Sequence, residues 1–178
     1  MNHGLLLYGP PASGKDTVTA TLTAADSRFQ LYERFKAGPG RTVGYRMVTE
    51  GFLNDLAASG QIAWENSRYG ARYVIDRPTL VLTLEAGSIP VVHAGQPEVV
   101  DAIREAVPEA SWTVVELTCS RETAQARSAQ RATGDTAARM AAWDATPRLR
   151  NPDLVVNTDQ VQPTGAAQLI LRRLESND

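Results

Sequence analysis

Short apolar runs alternate with amphipathic stretches along the whole chain. Runs at 4–8, about 30–34, 89–93, 112–118 and 153–157 read as strands. Stretches at 14–25, 49–59, 77–86, 96–106, 120–132, 135–145 and 164–174 read as helices. Leu5-Leu6-Leu7-Tyr8, Val114-Val115-Glu116-Leu117 and Leu154-Val155-Val156 are near-continuous apolar segments. That pattern suits strands buried on both faces rather than strands with one wet face. The last helix carries Leu169, Ile170 and Leu174 at helical spacing, with Arg172 and Arg173 near its end. The alternation predicts an α/β fold: a parallel five-stranded sheet flanked by helices. One segment, 61–76, breaks the rhythm. Gln61–Trp64 and Arg72–Ile75 read as two short strands around Asn66–Gly70, a small antiparallel insertion. Gly38-Pro39-Gly40-Arg41, before it, reads as a mobile loop.

Composition narrows the class. At 178 residues with 43% apolar content, a single domain with a full core is expected. Eighteen basic against twenty acidic side chains leave a net charge of −2, which provides no basic field to recruit nucleic acid. No run approaches eighteen apolar residues and the first residues lack a signal pattern, so no membrane partner and a cytoplasmic location are expected. Monomer and homodimer remain open. Cys119, the single cysteine, reads as a buried strand-end residue rather than a nucleophile. With two histidines and one cysteine, no structural zinc site is written here.

Chemistry enters at Gly9–Thr17, Gly-Pro-Pro-Ala-Ser-Gly-Lys-Asp-Thr, which fits G-x-x-x-x-G-K between an expected strand and an expected helix. Strand, glycine loop and helix make a phosphate cradle: backbone N–H groups and the helix's positive end face phosphate oxygens, and Lys15 adds a point charge. ATP and Mg²⁺ are the expected ligands, with Gly9, Ala12, Ser13, Gly14, Lys15, Asp16 and Thr17 holding them. The hydroxyl that usually follows the lysine and binds Mg²⁺ is displaced by one. Asp16 occupies its place and Thr17 comes next, so Asp16 and Thr17 are the candidate metal-side residues.

These pieces in order resemble the guanylate kinase family of P-loop nucleoside monophosphate kinases over nearly the whole chain. Arg34-Phe35-Lys36, Arg41 and Gly44-Tyr45 resemble that family's acceptor-binding R-x-x-R and G-x-x-Y, with altered spacing. Trp64 and Tyr69-Gly70 resemble its E-W and Y-Y-G motifs. Arg127 to Arg131 with Gly134-Asp135 resembles its lid, Arg139 falls where it has an arginine after the lid, and Asp153–Asn157 resembles its D-x-V-I-V-N. The resemblance implies a core of 1–33, 77–126 and 146–178, an acceptor-binding insertion at 34–76 and a mobile lid at 127–145. It implies Lys15, Arg127, Arg131 and Arg139 as catalytic residues and Asn157 near the adenine. Arg34, Lys36, Arg41, Tyr45, Glu65, Tyr69 and His93 are the candidate acceptor residues.

Two departures concern the acceptor. Where the family reads guanine with a glutamate before the tryptophan, this chain has Ala63; Glu65 follows instead and is the candidate replacement. Where the family has acids on the central strand, this chain has Val91-Val92-His93-Ala94-Gly95. A pocket built to hydrogen-bond a base loses heavily without those groups. The chain is also similar to ribose 1,5-bisphosphate phosphokinases, whose loop shares the Asp after the lysine. The expectation is therefore an ATP-dependent kinase for a small phosphorylated acceptor, a nucleoside monophosphate first. A sugar bisphosphate, a hydroxyl acceptor and a non-catalytic nucleotide-binding module are the alternatives.

Several of these residues also have plainer roles. Arg127 and Arg131 share a helix face, which equally suits a solvated stripe. Arg34, Lys36 and Arg41 equally suit a basic surface loop, and Tyr45 and Tyr69 half-buried aromatics at the insertion's edge. Trp64 reads as packing. His93, at the end of an apolar strand, suits an acceptor contact, a base toward a hydroxyl, or a satisfied core histidine. Asp76 before Arg77-Pro78 reads as a helix cap. Glu85, Arg121, Arg148 and Arg150 read as surface or lid-edge residues.

Overall fold

In the computed structural model, which describes residues 2–68, 70–131 and 134–176, five strands form an all-parallel sheet. They are β1 (His3–Tyr8), β2 (Phe29–Leu31), β7 (Ile89–Ala94), β8 (Ser111–Thr118) and β9 (Leu154–Asn157), in spatial order β2-β7-β1-β8-β9. β1 lies at the centre, with Leu5, Leu6, Leu7 and Tyr8 fully buried. The period of two divides that run between two cores. Leu5 and Leu7 pack with Val18 and Leu22 of α1 (Lys15–Ala25) and Ile170 and Leu174 of α7 (Pro163–Glu175). Leu6 and Tyr8 pack with Leu80 and Leu84 of α3 (Arg77–Glu85) and Val99 and Ile103 of α4 (Glu98–Ala106). Every predicted helix is present within a few residues of its expected ends. The sheet's order reverses beside β1, and the strand ends β1 and β7 open there into one crevice, where α/β folds bind ligands.

The strand predicted at 30–34 divides in two. Phe29–Leu31 joins the parallel sheet, and β3 (Arg34–Ala37) starts a second sheet with β4 (Tyr45–Met47), β5 (Ile62–Arg68) and β6 (Ala71–Asp76), in order β4-β3-β6-β5. β4 was not expected, and it pairs parallel to β3, so the insertion is mixed rather than antiparallel. Its alternation sorts the side chains by face. Ala37 and Val74, flanked by Phe35, pack on Leu53 of α2 (Glu50–Ala58), while Lys36, Tyr45, Asn66 and Tyr73 face the crevice.

Asp76 joins the two sheets. Its side chain caps α3 by accepting from Thr79 N (2.9 Å), as its sequence context predicts, but it does more. It accepts from Tyr32 Oη and Arg46 Nη2, each at 2.6 Å, and is almost completely buried. Burial alone would raise the Asp76 carboxyl, but the bonds from Thr79, Tyr32 and Arg46 hold it below its ordinary value. Its stabilisation is therefore present at neutral pH and disappears as acid protonates it below the usual carboxylate range. Asp76→Ala should cost about 3–5 kcal/mol in urea unfolding, because the Tyr32 hydroxyl loses its acceptor, Arg46 its carboxylate and α3 its cap. A loss under about 1 kcal/mol would show a cap and nothing more.

Candidate functional site

The loop after β1 has the conformation its glycines allow. A Cβ on Gly9 would lie 2.5 Å from the Leu117 carbonyl oxygen and 2.7 Å from Ser13 Oγ, so only glycine fits beneath the loop. Gly14 has φ of 102°, a left-handed value, and delivers the chain into α1 with its first N–H groups facing the crevice. Ala12 also has a positive φ (62°), and its methyl group packs against Ala124 and Met140. Met140 belongs to α6 (Thr136–Ala145) and Ala124 to α5 (Arg121–Gln130), so this contact ties the loop to both helices.

Lys15 folds back over the loop. Its Nζ donates to Gly9 O (2.6 Å) and Pro10 O (2.9 Å), two carbonyls that a phosphate oxygen would outcompete. Burial, reinforced by Arg34 and Arg131 and opposed by Asp16, pushes the amine down to about 8. A bound phosphate favours the charged amine. Binding above that pH must therefore take up a proton, and nucleotide affinity should fall about tenfold per pH unit beyond pH 8. Fluorescence titration from pH 7 to 9.5 tests this; a flat profile contradicts it.

A cavity of about 750 Å³ runs from the loop, past the ends of β1 and β7, to the insertion sheet and α6. Its size is that of small-molecule sites. Among the described residues, six cationic side chains line it (Lys15, Arg34, Lys36, Arg41, Arg68 and Arg139) against two carboxylates, Asp16 and Asp135. A protein of net charge −2 has concentrated cations in one cleft, as a polyanionic ligand requires.

The insertion supplies the far wall. Arg34 and Lys36 stand two apart on β3 and so share the crevice face. Arg34 donates to the His93 carbonyl oxygen and lies 5.2 Å from the Trp64 ring, so Trp64 packs as expected. Lys36 is almost fully buried; its Nζ donates to Arg41 O (2.6 Å) and lies 5.5 Å from the Tyr45 and Tyr73 rings. Tyr69 lies outside the described residues. Glu65 requires a correction. It stands on the opposite face of β5, where its carboxylate takes Arg72 Nε at 2.6 Å, so it does not replace the base-reading acid. Its neighbour Asn66 faces the cavity, and Asn66 Oδ1 is buried with no partner among the described residues. Asn66, Arg68 and Tyr73 were missed, although the alternation from Trp64 to Arg68 carries the signal. Asn66→Ala should raise the acceptor KM about tenfold, while Glu65→Ala should leave it within about twofold; equal effects in steady-state assays would contradict this placement.

The lid arginines separate. Arg139 lines the cavity, its Nε held by Asp135 Oδ1 at 2.8 Å. Arg131 reaches Asp16 Oδ2 at 3.2 Å. Arg127 does not face the cavity. It donates to Ala12 O (3.1 Å), Thr158 Oγ1 (3.0 Å) and Thr158 O (3.1 Å), bracing the loop from behind, so it positions the loop rather than touching a reacting group. Asn157 ends β9 and accepts from Asp159 N (3.0 Å), shaping the turn that carries Thr158. Arg121 clamps α5 to α6 through Asp144 (2.8 Å).

The metal-side residues stand at the start of α1. Asp16 and Thr17 are exposed there, and Asp16 lines the cavity. His93, next to last in β7, stands beside them; Thr19 Oγ1 lies 2.7 Å from its Nε2 and Asp16 Oδ1 lies 3.6 Å from its Nδ1. Burial, with the Lys15 and Arg34 charges, holds the ring below its ordinary value and neutral. Among the described residues no group of three or more His, Cys, Asp and Glu side chains could hold a metal, so a divalent cation here would complete its shell with phosphate oxygens and water. The glycine cradle and the Asp16 carboxylate beside it fit ATP with a divalent ion.

Comparison with solved structures agrees with this architecture. A guanylate kinase from Anaplasma phagocytophilum superposes with a TM-score of 0.64 at 16% identity, covering 99% of this chain and 86% of that one. A protein named APE1195 superposes with a TM-score of 0.61 at 15% identity, covering 99% and 97%. This chain has a guanylate kinase-like fold. No protein-family profile matches it, and no curated protein matches it in sequence. The likeness lies in the P-loop architecture. Among the described residues no helix is long and apolar enough to cross a membrane.

Proposed function

We propose that this protein is an ATP-dependent phosphotransferase that passes the γ-phosphoryl group to a small phosphorylated acceptor. One observation carries the reading: a single cavity joins Lys15 of the phosphate loop, Arg139 of the lid helix and the Arg34–Lys36–Arg41 cluster of the insertion. Phosphoryl transfer needs two anionic reactants held in line and the developing charge neutralised, and little covalent help. An acceptor phosphate oxygen attacks the γ-phosphorus, the bond to the β–γ bridging oxygen breaks, and ADP leaves. Arg34, Lys36 and Arg41 hold the acceptor, Lys15 and the α1 N-terminus hold the β- and γ-phosphates, and Arg139 faces the transferring group. Mg²⁺, when bound with the nucleotide, supplies additional charge neutralisation at the phosphates. Closure of α6 over the cavity excludes water and so suppresses hydrolysis of ATP.

Nucleoside monophosphates are the first acceptor class to test. A sugar bisphosphate is the second, favoured by the far wall: Lys36, Arg41, Arg68 and the neutral Asn66 line it, and the Glu65 carboxylate is turned to Arg72. An ADP-release screen with ATP and Mg²⁺ against nucleoside monophosphates, ribose 1,5-bisphosphate and hydroxyl acceptors decides between them. Transfer only to hydroxyl acceptors, or nucleotide binding with no transfer at all, would overturn the reading.

A further inference from the structure

We propose that His93 Nδ1 and Asp16 Oδ1 form a nitrogen–oxygen pair that ligates the nucleotide-bound divalent cation, so that the site prefers Mn²⁺ to Mg²⁺. The proposal rests on the nucleotide-binding reading above.

The hydrogen bonds around Thr19 set the ring's tautomer. Thr19 Oγ1 donates its one hydrogen to Lys15 O at 2.9 Å. Its 2.7 Å contact with His93 Nε2 is therefore donated by the ring. In the neutral ring Nδ1 then carries a lone pair, and Asp16 Oδ1, another lone-pair atom, stands beside it. Their 3.6 Å separation is too long for a hydrogen bond, so no proton is shared between them. Two ligands at adjacent corners of an octahedral cation lie about 3 Å apart, since each bond is about 2.1 Å. A shift of Asp16 Oδ1 by about 0.6 Å from its 3.6 Å position reaches that distance. Asp16 Oδ2 is already engaged with Arg131 at 3.2 Å, which holds the carboxylate with Oδ1 turned to the ring. The donated Nε2–H bond is also what a metal-ligating imidazole needs, because it fixes the ring and raises the basicity of the other nitrogen.

The ligand pair decides the metal. Carboxylates and water suit Mg²⁺, whereas an imidazole nitrogen is held better by first-row transition ions, Mn²⁺ the weakest of them, than by Mg²⁺. Mn²⁺ keeps six-fold geometry and tolerates oxygen and nitrogen together. The surrounding Lys15 and Arg34 charges disfavour a bare ion, so the cation enters with the nucleotide phosphates.

Pulsed electron paramagnetic resonance of the full chain with Mn²⁺ and saturating ADP tests this. The expected spectrum contains ³¹P coupling from the nucleotide and ¹⁴N coupling from His93. Labelling histidine with ¹⁵N in the unmutated protein should convert the nitrogen signal, which assigns it without any variant. His93→Gln should abolish it while the ³¹P coupling remains. The nucleotide should bind at least about tenfold more tightly with Mn²⁺ than with Mg²⁺ in the unmutated protein, and His93→Gln should shrink that ratio. A ³¹P coupling without histidine nitrogen coupling would overturn the proposal and leave nucleotide binding standing. No ³¹P coupling at saturating ADP would overturn both.

Discussion

Lys15→Ala should lower kcat by at least about 10³-fold while the protein stays folded. The two halves of that result have separate causes. Among the described residues, Lys15 Nζ hydrogen-bonds within its own loop, to Gly9 O, Pro10 O and Ser13 Oγ, and belongs to neither core. Its burial also disfavours its own charge, so removing it relieves a cost. The melting temperature should therefore change by no more than a few degrees. In the complex the same amine is the point charge on the terminal phosphates, where charge shifts during transfer. Lys15→Arg should not restore the rate, because a planar guanidinium does not fit a seat shaped by two carbonyls and a hydroxyl. Turnover by Lys15→Ala close to that of the parent protein would sink the kinase assignment.

Arg139→Ala should lower kcat about 10²- to 10³-fold with a smaller change in either KM. Arg139 sits on the lid side of the cavity, largely buried, its Nε tied to Asp135 one helical turn earlier. It therefore arrives pre-oriented and pays little entropy on meeting the transferring phosphoryl group. Arg127→Ala should behave differently: its guanidinium braces Ala12 and Thr158, so its loss should weaken nucleotide binding and stability more than the chemical step. Steady-state constants for the two variants with a turned-over acceptor distinguish these outcomes. Equal kcat losses with unchanged KM in both would place Arg127 at the reacting atoms after all.

What the sequence by itself determined is whatever depends on near neighbours along the chain. The apolar runs at β1, β8 and β9 and the glycine loop between β1 and α1 are local patterns, and the parallel sheet and phosphate cradle follow from them. Asp76 as a cap was also legible, since a spacing of three residues carries it, whereas the shared face of Arg34 and Lys36 emerged only with β3. Tertiary structure decided the rest. The run at 30–34 was divided between two sheets because Leu31 pairs with Val91 while β3, which starts at Arg34, pairs Phe35 with Val74, partners far away in sequence. Which residue of the Glu65–Asn66 pair meets the cavity depended on the register of β5 against β6, and a shift of one position would have exchanged them. Arg127 and Arg139 read alike as lid arginines, and only the packing of α5 and α6 turned one behind the loop and the other into the cleft. Glu116, inside an apolar run, reads as a strand residue; the fold buries it under the segment leaving the lid, where it takes Arg148 Nε at 2.7 Å. A side chain's partner across the fold is set by backbone geometry accumulated over the whole chain, whereas its secondary structure is set by a few neighbours.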